Sequence, residues 1–436
     1  MRRLIVLADG TWQDADYQPD PDMLTNVSRF ARALLVRDTR TSPPTEQIKL
    51  YTPGIGTGQE SLLGAVQGAL GTGLLGRVRE IYDFICLNYD QEEGTEITLV
   101  GFSRGAYCVR LVATLINLIG VLAPSKMHRF PALFDALCHR GQDAESEEHL
   151  NRLLEENEPD RQEQLEALDG RFPVKAVLVF DTVPTRSKDD HDPPTPTLPI
   201  RFDAFGLPSE ELGPHIEVAL QALALDEGRK HYMPLLWRRD PSRQLGGQFL
   251  LQTWFSGCHT DVGGGYKAHD LGDLSFFWAI SHLKKLAGLA FDTEYLASIA
   301  ARTTAPWGQM EPHHGFSLTK GHIRQLPLHV DPATNEYIHD SVLSQPSQHL
   351  NPETLKRLHI RSLFLPLRKL ERTVEEHWSY DPEQQPEVKR KPRSRRGSTS
   401  LLGGIERRWQ ALKDFEGTEA AKFAGAGDAF KQARAR

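Results

Sequence analysis

Five short apolar runs constrain this chain more than any other feature: LIVLAD (4–9), QIKLYT (47–52), EITLV (96–100), VKAVLVFD (174–181) and FLLQTWF (249–255). They are rich in β-branched residues and only thinly interrupted by polar ones, the pattern of strands buried on both faces of a parallel sheet. Such a sheet must be covered by helices on both sides, and helical periodicity fills the intervals. In LLGRVREIYDFICLNY (74–89), Leu74, Val78, Ile81, Tyr82 and Ile85 fall on one helix face. Alternating strands and helices predict an α/β fold with a mostly parallel sheet flanked by helices. With 436 residues, 39% of them hydrophobic, the chain is long enough for one large α/β domain with appendages, and residues 1–380 are assigned to it.

Two insertions interrupt the alternation. Residues 143–170 are crowded with charge and carry Leu150, Leu153, Leu154, Leu165 and Leu168 at helical spacing, so a polar helical insertion is expected. Residues 185–213 are rich in proline and charge and read as an irregular loop, and either insertion is a candidate lid. At 381–400, proline, charge and serine replace periodic hydrophobicity, as in a disordered basic linker, and 401–436 form a tail with helical potential. RRGS (395–398) resembles a site for a basophilic kinase, and the basic run 389–396 is a candidate peripheral contact for anionic lipid.

Bulk properties exclude several classes. A net charge of -7 argues against nucleic acid as a partner. Cys86, Cys108, Cys138 and Cys258 show no C-x-x-C spacing, so neither a disulfide framework nor a cysteine zinc site is expected, and they read as reduced thiols of a cytoplasmic chain. The start, MRRLIVLADG, reads as a buried first strand because Asp9 and Gly10 end the apolar run below signal-peptide length. The longest apolar segment, 111–123, falls short of the roughly 18 to 20 residues of a spanning helix, so no transmembrane segment is expected.

The chemistry concentrates in LVGFSRGAYCVR (99–110). Gly101, Ser103 and Gly105 form G-x-S-x-G, a pattern that arises by chance in roughly one chain in seven of this length. Its context is more specific. An apolar strand ends at Gly101 and an apolar helix begins directly after the serine, the strand–turn–helix setting that holds a nucleophilic hydroxyl above the C-terminal edge of a sheet. A serine nucleophile needs a base and a group to orient that base, and on this kind of sheet the chain order is serine, acid, histidine. Asp181 ends the run VKAVLVFD, and His259 follows FLLQTWF in the glycine-rich SGCHTDVGGGY. Asp261 is the alternative orienter of His259, and an N-cap is the alternative role of Asp181. Backbone N–H groups of Arg104 and of Gly10 or Thr11, in the turn after the first strand, are the candidate oxyanion donors.

Two other patterns carry less. GTGLLG (71–76) matches the dinucleotide fingerprint, but the nearest preceding strand ends near Thr52 and a long glycine-rich stretch intervenes, so no nucleotide site is assigned. His313 and His314 are adjacent, point in different directions, and make an unsuitable metal pair.

LADGTW (7–12), TNV (25–27), PGIGTG (53–58), GFSRGA (101–106), FDTV (180–183), ALALDEGR (222–229) with Trp237, FSGCHTDVGGGY (255–266) and LSFFW (274–278) stand in one order over about residues 1–280. This set resembles the α/β-hydrolase domain of bacterial type VI secretion phospholipase effectors and their bacterial and fungal relatives. The resemblance implies an α/β-hydrolase-like fold. It places the serine at Ser103, the aspartate at Asp181 and the histidine at His259, and it implies phospholipase A-like cleavage of lipid esters. Ala8 and Pro184 stand where that family usually has an aromatic and a small residue. The expected mechanism needs no metal or organic cofactor. The competing readings are a hydrolase of small esters or amides, and a non-catalytic binding protein on a hydrolase fold.

Overall fold

The computed structural model of the chain describes residues 1–10, 20–54, 69–168, 174–183, 205, 210–229, 232–239, 247–313, 323–378 and 380. The strands are β1 (Arg2–Ala8), β2 (Arg37–Asp38), β3 (Thr45–Thr52), β4 (Glu96–Phe102), β5 (Val174–Phe180), β6 (Ile216–Ala224), β7 (Phe249–Phe255), β8 (Glu336–His339) and β9 (Phe364–Leu365). They form one sheet in the order β2-β3-β1-β4-β5-β6-β7-β8-β9, parallel throughout except for the short antiparallel edge strand β2. The helices are α1 (Asn26–Ala33), α2 (Ala69–Asn88), α3 (Ser103–Ile119), α4 (Phe130–Cys138), α5 (Ala144–Ala167), α6 (His259–Gly263), α7 (Asp270–Leu286), α8 (Thr293–Ala300), α9 (Pro352–Arg357) and α10 (Lys369–Glu376).

The uninterrupted apolar runs are explained by two cores, one on each face of the sheet. Val6, Leu99, Val177 and Val179 point into a core shared with α2, α3 and α4. Their neighbours Ile5, Leu7, Val100, Leu178 and Phe180 point into a second core shared with α1, α7 and α8. Because successive side chains of a strand face opposite ways, only a strand covered on both sides is apolar at every position. Tyr82 and Ile85, read as one face of a helix, lie buried on α2 in the first core. GTGLLG falls within α2 itself, well after the end of β3, and forms no strand-to-helix turn. Helix α5 occupies most of the stretch 143–170 and packs against α4 and α3, burying Leu150 and Asn157 and laying Leu153, Leu154 and Leu165 on the first core. Among the described residues no single helix is long and apolar enough to cross a membrane.

β6, β8 and β9 are strands that hydrophobic runs do not announce. In β6 the apolar run is broken by Gln221, yet Gln221 is fully buried. Its amide bonds to Gln252 of β7 (2.9 Å), to Thr182 (2.7 Å) and to the Leu235 carbonyl (3.1 Å). Each buried amide is thus satisfied, and a glutamine occupies a core position. β8 and β9 are too short to show a pattern of their own.

The register gathers the strand ends. Ala8 pairs with Gly101, Gly101 with Val179, Phe180 with Ala222, and Ala224 with Phe255. The chain therefore leaves β1, β4, β5, β6 and β7 along one edge, and the residues that follow these strands become neighbours. Helix α1 braces this edge from the second face. Asn26 donates to the Val262 and Gly272 carbonyls and to Ser275 Oγ, each at 3.0 Å. Arg29 pairs with Asp273 of α7 at 2.6 Å, both side chains buried. Phe30 lies against Phe180, Phe276 and Phe291 with ring centroids 5.2–6.4 Å apart. Replacing Phe30 by alanine is expected to cost about 3–5 kcal/mol of stability by opening a cavity between these rings. Urea unfolding followed by fluorescence and circular dichroism measures it, and a cost below about 1 kcal/mol would mean the rings close around the gap.

Candidate active site

Ser103 opens α3 directly after β4 with φ of 56°, in the left-handed region that a non-glycine residue rarely adopts. The strain has a visible source. The turn brings Gly105 onto the backbone of β1, where an added Cβ would lie 2.3 Å from the Ala8 carbonyl oxygen. Glycine at that position lets the helix start against the sheet and throws the serine to the outside of the turn. Ser103 retains 8% exposure, and a Cβ built on Gly10 would lie 3.4 Å from its Cβ, so the turns after β1 and β4 meet here.

The turn after β1 is held by Asp9. One carboxylate oxygen accepts from Thr25 (2.7 Å), Ser28 (2.7 Å) and Tyr51 (2.8 Å), and the other accepts from the Gly10 N–H (2.8 Å). Burial pushes the Asp9 carboxyl above its usual range, against the pull of these hydrogen bonds. The Gly10 N–H is thereby engaged by its own neighbour. Of the two backbone donors expected from this turn, Thr11 lies outside the described residues. Arg104 is the second residue of α3, and its N–H is among the first-turn groups that have no acceptor within the helix. Such groups favour developing negative charge.

Asp181 follows β5 with φ of 43° and is wholly buried. His259 follows β7 as the first residue of α6 and is 4% exposed. The structure brings the two together, with His259 Nδ1 2.6 Å from Asp181 Oδ2. This contact fixes the ring through Nδ1. His259 Nε2 is buried and has no hydrogen-bond partner among the described residues. The face of the ring rests on Phe102, the residue before Ser103, at 4.7 Å between centroids, and Tyr232 meets it edge-on at 4.9 Å. Asp181 begins no helix. Asp261, the alternative orienter of His259, turns elsewhere: its carboxylate accepts from the Cys258 N–H (2.9 Å) and contacts His313 Nδ1 (2.6 Å). His313 thus has a carboxylate partner of its own, while His314 lies outside the described residues.

The acidic residues after β6 lock the histidine loop. Asp226 accepts from the Gly257 N–H at 2.8 Å, and Glu227 accepts from the His259 N–H at 3.2 Å while pairing with Arg229. These contacts account for the run ALALDEGR. One site residue has no counterpart in the sequence reading, namely Arg324. It is 2% exposed, and its guanidinium clasps Asp181 with Nη1 to Oδ1 at 2.6 Å and Nη2 to Oδ2 at 3.0 Å. It also donates to the Ala224 carbonyl (2.7 Å) and to the Tyr232 carbonyl. Burial alone would push the Asp181 carboxyl up, but the Arg324 charge and the His259 hydrogen bond outweigh it and hold the group well below the usual carboxylate range.

A depressed carboxyl contributes stability that is complete above its unfolded value, about 3.9, and is lost as pH falls toward the folded value. Asp181→Asn would leave Arg324 buried without its counter-charge, so a loss of about 3–5 kcal/mol is expected at pH 7. The gap between variant and wild type should narrow below about pH 4, where only the wild type loses stability through this group. Denaturant unfolding from pH 2.5 to pH 7 reads both effects, and a pH-independent gap would contradict the assignment.

A family model described as T6SS, Phospholipase effector Tle1-like, catalytic domain, matches residues 2–282. A search of curated proteins finds no match. Among solved structures, an uncharacterized protein from Pseudomonas aeruginosa shares 16% identity over 70% of this chain and 48% of its own, with a TM-score of 0.34. A second, described as the structure of the Tle1 effector bound to the VgrG spike from the type 6 secretion system, shares 17% identity over 61% of this chain and 51% of its own, with a TM-score of 0.27. The matched regions span about half the length of these solved chains.

Proposed function

The chain belongs to the Tle1-like phospholipase effector family of type VI secretion through its catalytic domain, and from that premise we propose that it is a serine ester hydrolase cleaving acyl esters of glycerophospholipids. The observation that carries this reading is the state of His259: tied to buried Asp181 through Nδ1, unpartnered at Nε2, and seated on the residue that precedes a strained serine. The large majority of buried side-chain nitrogens have a partner, so an Nε2 left open among the described residues fits a proton acceptor.

In the proposed reaction Ser103 Oγ attacks the acyl carbonyl carbon as its proton passes to His259 Nε2. Asp181 holds the neutral ring in the tautomer that exposes a lone pair at Nε2, and it faces the imidazolium once that forms. The Arg104 N–H donates to the oxyanion, with Thr11 the assigned second donor. Collapse of the tetrahedral intermediate expels the lysophospholipid alkoxide, which takes the proton from Nε2. A water molecule, deprotonated by the same nitrogen, then attacks the acyl-enzyme, releasing the fatty acid and restoring the Ser103 hydroxyl. The requirement for family-type chemistry lies in these side chains; the lipid specificity rests on the family.

Purified protein treated with a fluorophosphonate should be labelled on Ser103, as read by peptide mass spectrometry, and Ser103→Ala should abolish the label. On long-chain phosphatidylcholine vesicles the same variant should lose at least about a thousandfold in hydrolysis. Labelling without release of fatty acid from phospholipid, but with turnover of short esters, would retain the serine mechanism and replace the substrate class. Absence of labelling would leave a non-catalytic protein.

A further inference from the structure

Arg324 lies beyond residue 282, where the family match ends, yet both of its terminal nitrogens are on the carboxylate of Asp181. The chain after α7 adds β8 and β9 to the sheet, and the segment from residue 323 leads from the site toward those strands. Oδ2 of Asp181 receives His259 Nδ1 and Arg324 Nη2 together, while Oδ1 receives Arg324 Nη1 and the Ala224 N–H (3.1 Å). Every approach to the carboxylate is therefore occupied, and the anion that orients the histidine is shared with a second cation.

We propose that Arg324 is a positioning residue of the active site, which fixes Asp181 in the orientation that His259 needs and offsets the charge of its carboxylate. This inference rests on the serine hydrolase reading above. It extends the site past the matched domain: the residues that follow α7 complete the catalytic pair.

A histidine beside a lone buried carboxylate gains strongly from taking up a proton, because doing so cancels the only charge present. Beside an Asp181–Arg324 pair the charge is already cancelled, and that gain shrinks. The cost is weaker support for the imidazolium formed during attack; the benefit is a carboxylate held in one orientation and kept ionised. Other charged or titratable groups face His259 from the surrounding segments. They are Glu227, which is paired with Arg229, Tyr232 at the ring edge, and Asp261 on its own helix, which is bonded to Cys258 and His313. Arg104 lies in the first turn of α3, the element that bears Ser103. Among the described residues none of these touches the Asp181 carboxylate, so a change at Arg324 leaves their contribution in place. In a variant without the guanidinium, the first proton taken up by the Asp181–His259 pair arrives at higher pH, whichever of the two holds it.

The test is the pH dependence, from pH 4 to pH 9, of the rate at which a fluorophosphonate labels Ser103 in the full chain. Wild type, Arg324→Gln and Arg324→Lys are compared, each shown to be folded by circular dichroism at every pH used. In Arg324→Gln the acid limb should move up by about one pH unit or more, an approximately tenfold slower labelling on that limb beyond any change in the plateau. Arg324→Lys keeps the charge and loses the two-point clasp, so its limb should stay near that of wild type while its plateau rate falls. Should Arg324→Gln fail to fold, the lysine variant still decides, since a plateau and limb both equal to wild type overturn the proposal. An unmoved limb in folded Arg324→Gln overturns it as well and leaves Arg324 a structural tether. Wild type that is not labelled at any pH overturns the serine hydrolase reading itself, an outcome separable from failure at Arg324.

Discussion

The Asp181 carboxylate is the interaction on which the arrangement of this site depends. An ion with no exposed surface is tolerated only when its charge is paired and its lone pairs are filled. Here the filling is done by three segments distant in the chain: the His259 ring after β7, the Ala224 N–H at the end of β6, and the Arg324 guanidinium from beyond α8. Satisfying one buried anion thus draws together the elements that a catalytic pair requires. The left-handed backbone at Asp181 falls at the residue that carries this carboxylate.

The sheet supplies the other half of the geometry. Parallel strands in register deliver the turns after β1, β4, β5, β6 and β7 to one edge, where functional residues of open α/β sheets collect. At that edge two strained residues, Ser103 and Asp181, directly follow adjacent strands. Backbone strain of this kind persists where the surroundings over-determine it, and here they do: Gly105 pressed on β1 fixes one turn, and the Arg324 clasp fixes the other. Asp9 with Thr25, Ser28 and Tyr51 plays the equivalent part for the first turn. Polar contacts thus hold the turns after β1 and β5, and close backbone packing holds the turn that bears Ser103.

How much of this was legible in the sequence follows from how local each signal is. Ser103 is written in a dozen consecutive residues, because strand, turn and helix adjoin. Asp181 and His259 are legible once their preceding runs are read as strands, since a strand's end is where a parallel sheet places its chemistry. The sheet's further strands are less visible, because Gln221 and Gln252 satisfy each other across β6 and β7 and so occupy positions where the reading expects apolar residues. The turn after β1 shows another limit: motif position marks Gly10 or Thr11 as a candidate donor, but only the structure shows the Gly10 N–H turned to Asp9. Arg324 leaves no signal at all. It stands 143 residues from Asp181 in an aperiodic stretch, and nothing short of knowing that Asp181 is buried calls for a cation there.

In the proposed reaction Ser103 and His259 act on one acyl carbonyl at this edge, and the Arg104 N–H donates to the oxyanion. A crystal structure of the fluorophosphonate-treated protein tests it most directly, since the tetrahedral phosphorus mimics the intermediate of acyl transfer. The account predicts phosphorus bonded to Ser103 Oγ, a phosphonyl oxygen within about 3 Å of the Arg104 nitrogen, and His259 Nε2 facing the adduct with Nδ1 still on Asp181. An adduct whose phosphonyl oxygen turns away from Arg104, or a His259 that has left Asp181, would contradict it.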